Sequence, residues 1–355
     1  MLYNTQNFSP YQRDPYNTSK EFTYIHGYGF TPPPPRVSEQ HLIRSYANAI
    51  GLATLLMLFL SSILPQILFN MLSMFLPSVR ILRFQYVAPP AIFELIDGLT
   101  YSLSMLIPFF IYIAFVKIPL HSAAPMRRPN LSIALPGIAV AMGVSVVGIV
   151  ASNLISILFS TFGIIPVAPQ SSPDTTDGLA MLLYAINGMI LPAFIEEIVF
   201  RGAILQSLRR FGDGFALLTS SILFAVIHGN FVQAPYAFLM GLVIGYFVLR
   251  TGSLWTGIFI HLFNNGISIL FTFLDPYLSD RMYILIMFTL YAAYILAAVV
   301  ASLYLVRQDS EMFQVREEKC PQLNQHKYLF FFGSAGMIAC LLFIGFLSSQ
   351  YFEVL

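Results

Sequence analysis

The chain has 355 residues, of which 57% are hydrophobic and only 10% charged, with a net charge of +1. A soluble chain carries about 25% charged residues, so this one cannot cover a water-facing surface, and a chain this apolar is not disordered. The near-zero net charge removes the electrostatic case for a nucleic-acid partner. The composition predicts an all-α fold, a polytopic transmembrane helical bundle of about 8–9 membrane segments, with membrane lipid as its surroundings. Cys320 and Cys340 form no metal or redox motif and no disulfide framework.

Residues 1–45 are rich in Tyr, Asn and Pro and contain the run Pro32-Pro33-Pro34-Pro35. Such a run favours extended polyproline backbone without a packed core, so this stretch reads as a soluble, poorly ordered tail. It has neither the apolar core nor the cleavage site of a signal peptide.

From Ala47 onward, apolar stretches long enough to span a bilayer recur. Three of them, 48–76, 92–116 and 132–159, form an N-terminal transmembrane region over 46–160. Pro65 inside the first predicts a kink or a split there. A central group follows at 179–208, 215–230, 235–249 and 254–274, and a C-terminal pair at 283–306 and 328–350 falls within 280–355. Alternating β-barrel patterning is absent, which leaves helices as the spanning structure. With the N-terminus in the cytoplasm, 15 of the 18 basic residues count to the inside and Arg80, Arg83 and Arg281 to the outside, as the positive-inside rule requires, and the asymmetry survives without Arg201, which falls in an apolar segment. The loop 160–178 carries Asp174 and Asp177 and no Lys or Arg, which suits an outer face. General sequence character points to a bacterial plasma membrane.

Ionisable groups inside a bilayer are expensive and need a reason. Glu196 and Glu197 sit in Leu191-Pro-Ala-Phe-Ile-Glu-Glu-Ile-Val-Phe-Arg201, His228 ends the run Ser221-Ile-Leu-Phe-Ala-Val-Ile-His228, and His261 and Asn265 sit in Ile258-Phe-Ile-His-Leu-Phe-Asn-Asn-Gly266. Arg210-Phe-Gly-Asp-Gly214 reads as the turn of a helical hairpin. Glu196 lies sixteen residues before Gly212 and His228 sixteen after it, so both stand about 20–25 Å from the turn, at one level. His261 and Asn265 lie about 12–18 Å into their own segment, which places all four groups near mid-membrane.

Residues four apart on a helix are neighbours. Glu197 therefore pairs with Arg201, and His261 shares a face with Asn265. Glu196 is displaced by about 100°, which leaves it without such a partner and free for chemistry. Pro192, four residues before it, is expected to bend this helix. The break His228-Gly-Asn-Phe-Val-Gln-Ala-Pro235 between two short runs suits a wet cavity at membrane depth.

Taken singly, an intramembrane histidine is an ordinary helix–helix hydrogen bond and a Glu–Arg pair an ordinary staple. The convergence of both at one depth argues for a site. Glu94 and Asp97 read as partners of a helix N-terminus. His26, His41, His121 and His326 fall in loops or the tail and carry no role.

Glu196-Glu197-x-x-x-Arg201, Phe224-x-x-x-His228 and His261-x-x-x-Asn265, in that order, resemble the motifs of the CAAX prenyl protease 2 (Rce1-type) family, also called the CPBP or Abi family of intramembrane proteases. The resemblance covers about 178–275, the core of that family's domain. It implies a glutamate-dependent intramembrane endopeptidase acting on a membrane-associated protein or peptide. Glu196 and His228 would activate a water, His261 and Asn265 would stabilise the oxyanion, and Glu197 and Arg201 would support the site. It also favours a mechanism without metal or other cofactor.

Two rivals stand beside this reading. Glu196, His228 and His261 are a zinc-compatible ligand set, although His-Glu-x-x-His is absent. The chain is alternatively a non-proteolytic membrane scaffold or bacteriocin-immunity protein, roles also linked to this family, or a proton-coupled transporter.

Overall fold

The computed structural model describes residues 23–25, 29–31, 39–82, 85–167, 176–315 and 326–354. Its spine is a set of helices separated by short connections. They are α1 (Glu39–Phe75), α2 (Pro90–Val116), the short α3 (Leu120–Ala123), α4 (Leu131–Thr161), α5 (Gly178–Phe211), α6 (Asp213–Ile227), α7 (Ala234–Thr251), α8 (Leu254–Leu274), α9 (Asp280–Gln308), α10 (Lys327–Phe332) and α11 (Ala335–Ser348). Among the described residues, seven helices are long and apolar enough to cross a membrane, and α6 and the α11 region are shorter apolar helices. The chain is a multi-pass, all-helical membrane protein.

The nine apolar segments each match a helix, with three differences. The first helix begins at Glu39, inside the stretch read as tail, because Ile43, Ala47 and Ile50 repeat at helical spacing and are fully buried. His41 and Arg44 therefore sit in a helix rather than in a loop. Earlier in the tail, Thr23–Ile25 and Gly29–Thr31 pair as an antiparallel hairpin, and the remaining tail positions lie outside the described residues. Pro65 does not split α1, which runs for 37 residues. The last apolar segment is divided at Gly333 and Ser334 into α10 and α11.

Two hydrophobic clusters organise the bundle. One joins α1, α2, α5, α6 and α10 through Ile43, Phe109, Phe200, Leu205, Phe224 and Phe331. The other joins α4, α7, α8 and α9 through Val140, Ile244, Phe247, Ile258 and Leu305. Helix α5 stands at their seam: Ile195 and Val199 belong to the first cluster, while Phe194 and Ile198 pack on the second. Helix α9 packs chiefly on α4 and presents Phe288 and Leu296 outward, a surface suited to lipid.

Polar contacts pin the ends. Lys327 donates from Nζ to the Phe211 carbonyl at the α5–α6 turn, 2.8 Å. The Gly336 amide donates to Asn48 Oδ1, 2.8 Å, and so docks α11 on α1. The strand Ile164–Pro166 pairs antiparallel with Phe352–Val354, tying the start of the 160–178 loop to the chain's last strand. Asp174 in that loop lies outside the described residues.

Candidate active site

The site is carried by α5, whose winding is not uniform. Residues Ile186–Ile190 and Glu197–Ile204 form π-type turns with α-helix between them. Pro192 accounts for the first departure. It has no N–H to give the Gly188 carbonyl four residues back, and its ring would clash with that carbonyl in a regular helix. The chain responds by widening: the Leu191 amide reaches back to the Ile186 carbonyl. The released Gly188 carbonyl is taken by Asn265 of α8, whose Nδ2 donates to it at 3.2 Å. The expected bend at Pro192 is therefore realised as a π-type turn that creates a docking point for the third motif.

One turn on, the carboxylates part company. Glu197 is fully buried and accepts from Arg201 at 2.7 Å, the i, i+4 pair expected from the spacing. Arg201, itself 1% exposed, lies over the Phe224 ring at 4.2 Å and also donates to the Gly241 carbonyl at 3.4 Å. A cation held between a carboxylate and an aromatic face has its charge compensated without water.

Glu196 has no partner along its own helix, as the spacing predicts, but it has one across helices. The hydroxyl of Tyr101 on α2 donates to its Oε1 at 2.7 Å. Its Oε2 stands 3.8 Å from His261 Nε2. That gap is too long for a direct hydrogen bond. The rotation that removes Glu196 from Arg201 turns it toward α2, which packs on this stretch of α5.

His261 faces both acids. Its Nδ1 lies 2.9 Å from Glu197 Oε1, the oxygen that also receives Arg201. That oxygen acts as acceptor in both contacts, so Nδ1 carries the proton and Nε2 looks toward Glu196. The approach depends on Gly257, one turn earlier on α8. A Cβ there would meet Glu197 Oε2 at 2.6 Å and a Val248 methyl at 2.8 Å.

His228 terminates α6, and Gly229 after it takes a left-handed φ of 67°, which lets the backbone turn away at once. The imidazole Nδ1 lies 2.7 Å from the Phe224 carbonyl. A carbonyl only accepts, so this ring also carries its proton on Nδ1 and keeps a basic Nε2. His228 and His261 both pack edge-on to Phe224, with ring centroids at 5.0 and 6.1 Å. Phe224 is thus the hub that holds both histidines and the arginine.

The structure gathers Glu196, Glu197, Arg201 and His261 into one buried cluster, sets His228 beside it across Phe224, and holds Asn265 one turn further along α8. Asn265 belongs to a second chain of contacts: Tyr236 donates to Asn264 Oδ1 at 2.6 Å, and Asn264 donates to Asn265 Oδ1 at 3.2 Å. Tyr101, Gly257, Tyr236 and Asn264 were not picked out from the sequence. The one available signal for Tyr101 was the polar run Asp97, Tyr101 and Ser104, spaced for one helix face in an apolar helix. Glu94, read as a helix-end partner, lies beyond the first turn of α2 and instead accepts from Asn187 Nδ2 at 2.9 Å.

Zinc needs at least three donors converging on one point. Among the described residues no group of three His, Cys, Asp or Glu side chains is placed to hold a metal ion. His261 and His228 each commit Nδ1, to Glu197 and to a carbonyl, and keep Nε2 available, an arrangement that metal-bound histidines share.

A buried acid–histidine–arginine cluster at a helical seam defines the class: a multi-pass membrane protein with a polar centre enclosed among its helices. Residues 178–267 match the family described as type II CAAX prenyl endopeptidase Rce1-like. All three motifs from Glu196 to Asn265 lie within this Rce1-like match. No curated protein and no solved structure matches the chain.

Proposed function

We propose that this chain is an intramembrane endopeptidase that hydrolyses a peptide bond of a membrane-associated protein or peptide without a metal. The carrying observation is the position of Glu196: one oxygen is held by Tyr101, while the other faces His261 across a 3.8 Å gap.

In this scheme a water binds between Glu196 Oε2 and His228 Nε2. Glu196 takes a proton as the water oxygen bonds to the substrate carbonyl carbon, which is general-base catalysis. The developing oxyanion receives hydrogen bonds from His261 Nε2 and from the second N–H of Asn265 Nδ2, which preorganised donors stabilise. The C–N bond then breaks and the proton held by Glu196 passes to the leaving amine. Donation from Nε2 requires His261 to hold a proton there as well as the Nδ1–H spent on Glu197. Glu197 and Arg201 position His261, and Tyr101 positions Glu196. The distribution of basic residues supports a cytoplasmic N-terminus.

The test is comparative membrane peptidomics of cells carrying the wild type, Glu196→Gln or His228→Ala. The products present with the wild type disappear in both variants, and the purified wild type keeps its activity in excess chelator. Unchanged peptide profiles, with both variants present in the membrane at wild-type levels, refute proteolysis. Loss of activity in chelator that zinc restores refutes the metal-free mechanism.

A further inference from the structure

We propose that the groove between α1 and α2 binds a single anionic phospholipid, with its headgroup at Arg44 and one acyl chain running inward to Leu56. This does not rest on the protease reading. The groove encloses about 550 Å³, within the size range of small-molecule sites. On the α1 side the small residues Ser45, Ala49 and Ala53 recur at helical spacing and leave the space open. On the α2 side Ile111 and Phe115 border it as exposed apolar side chains, facing Leu52 on α1. Below the mouth the lining is mostly apolar, with Asn48 engaged by the Gly336 amide and the Tyr112 hydroxyl by Ser207.

The mouth has the opposite character. His41 and Arg44 line it from α1, and the exposed Lys117 caps α2 two residues beyond Phe115. The Arg44 guanidinium lies over the Phe330 ring at 5.4 Å. It pairs with no carboxylate among the described residues, and stacking leaves its N–H edge free to bind a phosphate. The nearest acid in sequence, Glu39, is buried and outside the lining. Arg210, close by, is turned onto Tyr46.

Length selects the occupant. Twelve residues separate Arg44 from Leu56, about 18 Å of helix. One leaflet contributes about half of a 30 Å hydrocarbon core. Charge at the interface and an apolar slot one leaflet deep match one chain of an anionic lipid.

The experiment uses the full-length protein in nanodiscs. Phosphatidylglycerol or phosphatidylcholine, each carrying a diazirine near the end of one chain, is photolysed, and the labelled peptides are mapped by mass spectrometry. The expected result is label concentrated on 49–56 and 108–115, several-fold higher with phosphatidylglycerol. Arg44→Gln should lower that preference about fivefold, as loss of one interfacial charge does, and Ala49→Phe should remove groove label with both lipids. Equal groove labelling by the two lipids in the wild type overturns the proposal. Label spread as densely over the lipid-facing side of α9 as over the groove does so too. Both readings come from the unaltered chain, so a variant that fails to fold leaves the test intact.

Discussion

The hydroxyl of Tyr101 on α2 sits 2.7 Å from Oε1 of Glu196 on α5, joining residues 95 apart in the chain at the centre of the polar cluster. A hydrogen bond to a charged group contributes about 1.5–3 kcal/mol. In the proposed mechanism it also orients the carboxylate so that Oε2, not Oε1, would meet the water. Tyr101→Phe removes the donor and keeps the ring. The expected outcome is a fall in kcat of about 10- to 100-fold with KM within about twofold. Steady-state kinetics in proteoliposomes measure it, and unchanged kcat removes Tyr101 from the mechanism.

The Arg201–Glu197 pair is buried on both sides. Removing one member of a buried pair strands the other and typically costs about 3–5 kcal/mol. Arg201→Met should therefore lower the thermal unfolding midpoint sharply in detergent, and Arg201→Lys should recover part of the loss because it keeps the charge without the planar stack on Phe224. Equal midpoints for Met and Lys would assign the effect to packing alone.

Gly257 is where α8 approaches the carboxylate of Glu197. Gly257→Ala places a methyl 2.6 Å from Oε2 and 2.8 Å from Val248, and overpacking of this kind costs about 1–3 kcal/mol. Displacement of α8 would also lengthen the His261–Glu197 contact, so kcat should fall together with the unfolding midpoint. An alanine variant with wild-type values for both shows that the two helices separate without consequence.

Pro192 supplies a test in the opposite direction. Pro192→Ala returns an N–H that can bond the Gly188 carbonyl, the acceptor now used by Asn265. The helix should become more regular, with an unchanged or higher unfolding midpoint, while activity falls several-fold as Asn265 loses its anchor. Stability and kcat falling together would show that the proline acts only through packing.

The nine apolar segments were legible because burial in lipid leaves a length signal that needs no tertiary knowledge. The Glu197–Arg201 pair was legible for a similar reason, since i, i+4 geometry is local. The environment of Glu196 was not: helical spacing says which way a side chain turns but not which helix it meets, and Tyr101 lies two helices away in the order of the bundle. The π-type turns were legible only in part. Pro192 marks where hydrogen bonding must fail, yet whether the helix kinks or widens depends on Asn265 arriving to take the spare carbonyl. The helical setting of His41 was not legible because the buried apolar stripe of α1 starts only at Ile43, two residues after it and close behind the proline run.

Because α2 reaches into the segment 178–267 and supplies the hydroxyl that grips Glu196, that segment does not hold its central acid by itself. A fragment trimmed to those borders would keep every motif and still leave its central acid unsteadied. Grafting the segment onto another membrane scaffold would carry the proposed chemistry across only if a tyrosine-bearing neighbour came with it.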